Sequence, residues 1–448
     1  MKYSKQMADY IEPKVLKGFR DFLPQAETVR RGLVEKIEAS FRSFGLVPID
    51  TPALEYAEIL LGKGGGETEK QIYRFKDNGE RDVALRFDLT VPFARFTAMH
   101  SAELTFPFKR YHIGKVWRGE NTQRGRYREF MQCDFDIIGS DSVPADFEII
   151  LLIHSTMKSL GVDVTIHVNH RGLFNRFLSH IGQREKSVDV LRAVDKLGKV
   201  GEEETLKSLT GFAGEANAKK IIEFINAKGS FPQVLERLTE LSGGSCPESE
   251  RLSSLRQYMV DSLGGDSSSD NTSIEPFVLN PSITRGLDYY TGVVFETFLN
   301  DLPDIGSVCS GGRYDNLAGL YSKDKNSISG VGASIGIDRL IAGLESLNKL
   351  PAANTCNVAI ACVDIEKSGQ YQRLACRLRQ AGIPCEVFSE PGGEKQLVKQ
   401  YVLAEKKGLR YVIIPGKNIL SDPVTLRDIA ARQNHELSVE ELIGTLKR

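Results

Sequence analysis

The most constraining feature of this chain is a series of short apolar runs between Ile72 and Gly139. Four have strand character: Ile72–Lys76, Val83–Phe87, Phe106–Trp117 and Tyr127–Ile138. Parallel neighbours need a long crossover, normally a helix. The spacers here look like loops, so the sheet is predicted to be largely antiparallel. Upstream, Val29, Leu33, Ile37 and Phe41 recur at four-residue steps, which predicts a helix over Thr28–Phe44 stopped by Gly45. An extended piece, Val47–Asp50, then ends at Thr51-Pro52. Proline cannot donate to a ladder, so Pro52 belongs at a strand end or edge.

Downstream the texture changes. Val164–Val168 is one more strand, after which residues 171 to about 260 carry helical periodicity, as in Val188–Leu197 and Pro232–Leu241. Gly264–Ser273 has the composition of a flexible polar linker, and strand patterns resume at Phe277 and Val293–Phe298. A helical insertion interrupting an α+β core accounts for this order. After Pro351, the runs Val358–Val363, Cys385–Phe388 and Tyr411–Ile414 alternate with helical stretches at Gly369–Gln380 and Lys395–Lys407. That alternation predicts a small α/β domain with a mostly parallel sheet. Ser438-Val-Glu-Glu441 is a capping box for a last helix. The expected division is 1–170 and 273–350 for the core, 171–272 for the insertion, and 355–448 for the α/β domain.

Composition narrows the function classes. At about 150 residues per domain, 448 residues suggest roughly three domains. Lys+Arg is 58 against Asp+Glu 59, so any nucleic-acid surface must be a local patch. Met1–Phe19 has no apolar signal core, and no run approaches the ~18 apolar residues of a spanning helix. None of the seven cysteines forms C-x-x-C, so neither a disulfide frame nor a zinc finger is indicated. These features predict a reduced, soluble, cytoplasmic chain with no membrane partner.

The densest chemical signal is Lys109–Arg128, which holds Lys109, Arg110, Lys115, Arg118, Arg124, Arg126 and Arg128 against one acid, Glu120. Its middle, Arg118–Arg126, looks like a polar hairpin loop. Guanidinium forks bind phosphate, and Phe130 offers a face on which a base can stack; a solvated basic loop is the bland alternative. Arg285-Gly-Leu-Asp-Tyr-Tyr290 either lines a polar pocket or is a turn with structural tyrosines. Asp88-Leu-Thr90 and Gln132-Cys-Asp-Phe-Asp136 alternate polar side chains, which in a strand share one face. Buried acids are rare unless paired, so two such strands suggest a cation-binding floor. Gly330–Arg339 resembles a dinucleotide fingerprint but lacks a parallel βαβ setting. Gly62–Gly66 is not a P-loop and is expected to be a mobile loop. His167 and His170 are expected to be structural, and no metal ligand set is assigned.

Taken together, these residues resemble histidyl-tRNA synthetases of the class II aminoacyl-tRNA synthetase family. Lys17-Gly-Phe-Arg-Asp21 is similar to that family's N-terminal signature. The helix and short strand ending at Pro52 resemble motif 1, Arg118–Gln132 motif 2, and Gly332–Arg339 motif 3. Those motifs indicate the class. Arg285–Tyr290 and Ser310-Gly-Gly-Arg-Tyr-Asp315 resemble the two histidine-specific signatures.

The resemblance implies an antiparallel six-stranded core that dimerises through motif 1, an insertion near the tRNA acceptor arm, and a C-terminal anticodon-binding domain. It implies histidine activation by ATP with Mg2+, then transfer to tRNA(His). By the same resemblance Arg118 would hold carboxylate and α-phosphate, and Arg285 would sit on the α-phosphate where other class II enzymes use a metal. Arg339 would grip the γ-phosphate. Phe130 and Arg339 would sandwich the adenine, Glu120 would face its amino edge, and Arg126 would join this ATP set. Asp88, Thr90 and Gln132 would take the α-ammonium, and Asp136 and Tyr290 the imidazole nitrogens. Tyr289 and Tyr314 would line that pocket, while Gln123 and Arg124 would meet the acceptor end.

Many bacterial relatives carry Arg-Pro-Glu-Gly-Thr where this chain has Arg86-Phe-Asp-Leu-Thr90, and Glu at the position of Asp136. This chain therefore resembles the branch that includes the eukaryotic enzymes, with a shorter, bacterial-like motif 2 loop. The rival is a histidine-binding regulatory paralogue of ATP phosphoribosyltransferase. The presence of Arg118, Arg285, Arg339 and an α/β domain disfavours it.

Overall fold

A computed structural model describes residues 11–62, 67–195, 197–263, 276–283, 289–322, 328–351, 356–390, 394–419 and 421–447. The expected loop at Gly62–Gly66, beyond its first residue, and the expected linker at Gly264–Ser273 lie outside them. The chain forms two compact units. One comprises Arg30–Leu350 with the described residues before Phe22, and the other joins Phe22–Val29 to the residues after Leu350.

Helix α1 (Pro24–Ser43) begins four residues before its expected start, since Pro24 suits a first turn whose N–H groups lack partners anyway. Strand β1 (Val47–Pro48) pairs parallel with β5 and forms the sheet edge, where prolines are tolerated. Strands β2 (Leu54–Tyr56), β3 (Arg74–Lys76) and β4 (Asp82–Leu85) make a small antiparallel sheet, with helix α2 (Ala57–Leu61) between the first two. Helix α3 (Thr90–Met99) then separates β4 from β5 (Phe108–Trp117), which forms a hairpin with β6 (Glu129–Ile138).

Helix α4 (Val143–Ser159) starts where the Ser142 hydroxyl accepts the Ala145 N–H. It leads to β7 (Val164–His170). The insertion follows as α5 (Arg171–His180), α6 (Ser187–Asp195), α7 (Leu197–Val200), α8 (Glu202–Ala213), α9 (Glu215–Ile225), α10 (Phe231–Leu241) and α11 (Pro247–Leu263). Stacked Phe177 and Phe224, 4.4 Å apart, anchor its core. The core resumes with β8 (Phe277–Leu279), β9 (Val293–Leu299), β10 (Cys309–Tyr314), β11 (Gly330–Gly336) and α12 (Ile337–Ser346).

The large sheet runs β1-β5-β6-β11-β10-β9-β7-β8. Its six central strands are antiparallel, and each edge strand is added in parallel. Strand β11 lies between two antiparallel neighbours, so Gly330–Arg339 is no dinucleotide fold. Asp146 of α4, fully buried, joins three elements: Arg251 Nε of α11 lies 2.7 Å from one carboxylate oxygen and Arg313 Nε of β10 lies 2.8 Å from the other.

The second unit contains β12 (Val358–Ile360), α13 (Ser368–Gln380), β13 (Cys385–Val387), α14 (Glu394–Lys406), β14 (Tyr411–Ile414), β15 (Val424–Asp428), β16 (Gln433–Leu437) and α15 (Val439–Leu446). Strands β13, β12 and β14 are parallel, but β15 and β16 add an antiparallel hairpin, so the sheet is mixed rather than mostly parallel. The expectation missed this hairpin because β16 is polar and exposed, leaving no apolar alternation to detect. Ser438 and Glu441 form the expected capping box, with Ser438 N–H donating to Glu441 Oε2 at 2.9 Å.

Candidate active site

Three neighbouring strands set out the floor of a pocket. Gln132, Asp134 and Asp136 alternate along β6 and share one face. Strand β5 places Gly114, His112 and Arg110 beside them, and β11 places Gly336, Ser334 and Gly332 on the other side. Gly332 has no substitute: a Cβ there would lie 2.0 Å from Asp136 Oδ1.

Asp136 is the more tightly held of the two acids on β6. The Tyr314 hydroxyl donates to Oδ1 at 2.7 Å, and Arg110 Nη2 lies 2.5 Å from Oδ2. Arg110 is 0% exposed and its guanidinium sits 4.0 Å from the Phe93 ring centre. Burial pushes the Asp136 pKa up, while Arg110 and the Tyr314 hydroxyl pull it back. Tyr289 meets Tyr290 edge-on at 4.9 Å and Tyr314 at 6.1 Å, so the three rings form a joined aromatic wall.

The segment expected as a strand at Asp88-Leu-Thr90 is instead a turn into α3. Asp88 Oδ1 accepts the Val91 N–H at 3.1 Å, as an acid at a helix entrance does, and Pro92 falls in the first turn, where its missing N–H does no harm. The other oxygen of Asp88 accepts the Tyr289 hydroxyl at 3.2 Å. The Thr90 hydroxyl lies 3.4 Å from Asp134 Oδ2. Asp88 thus reaches the same pocket from a different element. Burial pushes the pKa of Asp88 up to about 6. Burial first, and the neighbouring acids after it, push Asp134 up to about 7, against the pull of Arg110. Gln132 Nε2 donates to Ser334 Oγ at 2.8 Å. Buried Gln132 Oε1 and Asp134 Oδ1 have no hydrogen-bond partner among the described residues. Buried acceptors rarely stay unpaired, so the floor suits a cationic donor.

A second cluster borders this floor. The loop between β5 and β6 folds back where Gln123 and Arg126 exchange backbone bonds of 3.2 and 2.9 Å. It lies across α12, where Arg124 Nη2 donates to Ser346 Oγ at 2.5 Å. Glu120 sits 3.9 Å from Arg118 and 3.8 Å from Arg126. Arg118 donates through Nε to the Phe87 carbonyl at 2.9 Å, with its guanidinium 5.2 Å from the Phe130 ring centre. Arg339 of α12 donates to the Ser307 carbonyl at 2.6 Å. Burial first, then Arg126 and Arg118, lower its pKa to about 10, which leaves it cationic at neutral pH. The cluster gathers three guanidiniums beside an aromatic face, a chemistry suited to an anion.

Arg285, with Gly286 to Asp288, lies outside the described residues. His170 caps α5, its Nδ1 accepting the Gly172 N–H at 3.1 Å, and His167 Nδ1 lies 2.8 Å from Asn280 Nδ2. The sequence assigns no pocket role to Arg110, Phe93 or Ser334, and places Asp134 on the cation-binding floor without a partner of its own. The parity of β5 held the missing signal, since Arg110 stands directly beside Asp136 once the hairpin is aligned.

A family model of histidyl-tRNA synthetase matches residues 18–340. The chain belongs to the histidyl-tRNA synthetase family. A model of an anticodon binding domain matches residues 357–448. Among relatives in the synthetase family, the histidine--tRNA ligase of Treponema denticola is 49% identical over 98% of this chain and 99% of its own length. The crystal structure of histidyl-tRNA synthetase from Nostoc sp. has a TM-score of 0.84 at 31% identity, covering 98% of this chain and 100% of its own. An ATP phosphoribosyltransferase regulatory subunit/histidyl-tRNA synthetase from Bacillus halodurans, 22% identical with a TM-score of 0.69, covers 86% of this chain and 96% of its own; it shares the fold.

Proposed function

We propose that this chain is a histidine–tRNA ligase. A histidine carboxylate oxygen attacks the α-phosphorus of ATP, the bond to the bridging oxygen breaks, and pyrophosphate leaves. The 3′-terminal ribose hydroxyl of tRNA(His) then attacks the activated carbonyl and releases AMP. The observation that carries this reading is the buried acid floor beside a guanidinium frame, in a member of the histidyl-tRNA synthetase family.

Catalysis here is positioning and charge stabilisation. Arg118 and Arg285 hold the reacting carboxylate and α-phosphate. Arg339 and Arg126 hold the outer phosphates, with Phe130 and Glu120 at the adenine, and ATP enters as its Mg2+ complex. Asp88, Thr90 and Gln132 receive the α-ammonium, with Asp134 beneath them. Asp136 and Tyr290 meet the imidazole nitrogens, while Tyr289 and Tyr314 enclose the ring. Gln123 and Arg124 lie toward the acceptor end of the tRNA. Residues 171–272 approach the acceptor arm and 355–448 take the anticodon, while the residues around α1 and β1 pair two copies into a homodimer in the cytoplasm.

ATP–pyrophosphate exchange assayed with each of the twenty amino acids tests this reading. Exchange with histidine alone is the expected result. No exchange with any of them would assign the chain to the regulatory paralogue instead.

A further inference from the structure

The segment Lys17-Gly-Phe-Arg-Asp21 has no part in the chemistry above, yet it is fastened to the ATP frame at several points. The Arg128 N–H donates to the Gly18 carbonyl at 2.8 Å, and Arg128 Nη1 reaches the Lys17 carbonyl at 3.4 Å. Gly18 has φ +89°, and a Cβ there would lie 2.7 Å from Arg128 Cγ and 2.9 Å from Thr122 Cγ2. Only glycine lets the segment lie this close to the loop. Phe19 meets Tyr73 edge-on at 6.1 Å.

The contacts of Arg20 include two of different kinds. Its guanidinium stacks on the Tyr127 ring, 3.7 Å from the centre, and its Nη2 donates to Asp338 Oδ1. The second oxygen of Asp338 accepts the Met131 N–H at 2.8 Å. Asp338 is 3% exposed and directly precedes Arg339 in the first turn of α12, while Met131 directly follows Phe130. One guanidinium therefore links the returning limb of the loop, the start of β6 and the start of α12.

The frame needs such a link. Burial first, then the like charges of Arg126 and Arg118, lower the Arg339 pKa, with Glu120 opposing them. Without ATP, repulsion acts to lift the loop from α12. The Arg20 guanidinium, seated on Asp338 and on Tyr127, opposes that movement.

We propose that Arg20 is a positioning residue for ATP, holding the loop and α12 at the spacing the triphosphate requires. This rests on the assignment of Arg118, Phe130 and Arg339 to ATP. Titration calorimetry of the full chain with Mg2+–ATP, and separately with histidine, tests it in wild type, Arg20→Ala, Arg20→Lys and Tyr127→Leu. Arg20→Ala is expected to weaken ATP about tenfold, the scale of a modest misplacement, with the histidine Kd unchanged. Arg20→Lys, which keeps the charge but loses the planar stack, should fall between them. Unchanged ATP affinity in Arg20→Ala, or equal losses for ATP and histidine, overturns the proposal and leaves the ATP assignment standing. A wild type that binds no ATP overturns both. If Arg20→Ala does not fold, Tyr127→Leu carries the test, since it removes only the stacking face and should show the same split between the two ligands.

Discussion

Asp136 combines two duties that ordinarily conflict. By the proposed assignment it meets a substrate nitrogen, yet it also balances a fully buried guanidinium. Removing one partner of a buried pair leaves an uncompensated charge and costs about 3–5 kcal/mol. Asp136→Asn should therefore lower the melting temperature by several degrees and cut histidine kcat/KM more than tenfold, with KM for ATP near normal. Normal melting with intact histidine use would remove both duties. Asp134 gives a pH signature. Its folded pKa of about 7 stands above the ordinary 3.8, so the folded state keeps this proton longer than the unfolded chain does. Its contribution to stability is complete below about 3.8 and is lost as pH rises toward 7. Asp134→Asn cannot ionise, so its melting temperature should fall less than that of wild type between pH 4 and 7. Parallel curves for the two proteins would place the titration elsewhere. Binding of a histidine ammonium over Asp134 and Asp88 should likewise release protons near pH 6, measurable by calorimetry in buffers of different ionisation enthalpy.

Between elements, register does the selecting. Strand β6 presents Gln132, Asp134 and Asp136 at alternate positions, and β11 answers Asp136 with Gly332, which leaves room for its carboxylate in the sheet. Gly332→Ala would force a methyl against the Asp136 carboxylate and should destabilise the fold by about 3 kcal/mol, with histidine binding lost before ATP binding. Retained histidine affinity in a folded variant would refute this close approach. The β6 alternation was legible because period-2 polarity in an apolar strand is a rare pattern. The hairpin loop was equally legible from its arginines and flanking strands. Asp88 was misjudged because three residues cannot distinguish a strand from a helix entrance, and the decisive Val91 N–H bond is local geometry. Arg110 merged with a basic run in the sequence, since nothing in composition separates a buried guanidinium from a solvated one. The polar strand β16 was invisible for the opposite reason: it buries almost nothing.

Across the whole molecule, the second unit has its own buried core, including Leu374, Leu378, Val412 and Ile413. Truncation after Leu350 is expected to leave histidine-dependent pyrophosphate exchange and to abolish charging at low tRNA concentration. Joint loss of both activities in a folded truncate would contradict the assignment of this unit to the anticodon. The insertion stands in a different relation to the core, because Asp146 is shared between Arg251 of α11 and Arg313 of β10. Arg313 immediately precedes Tyr314, whose hydroxyl holds Asp136. An exchange of insertions between relatives therefore transplants a charge as well as a set of helices. A chimera whose incoming segment lacks a cation at position 251 leaves Asp146 half-balanced and, through Arg313, disturbs the strand whose Tyr314 holds Asp136 in the proposed histidine pocket, so the segment is not a free cassette.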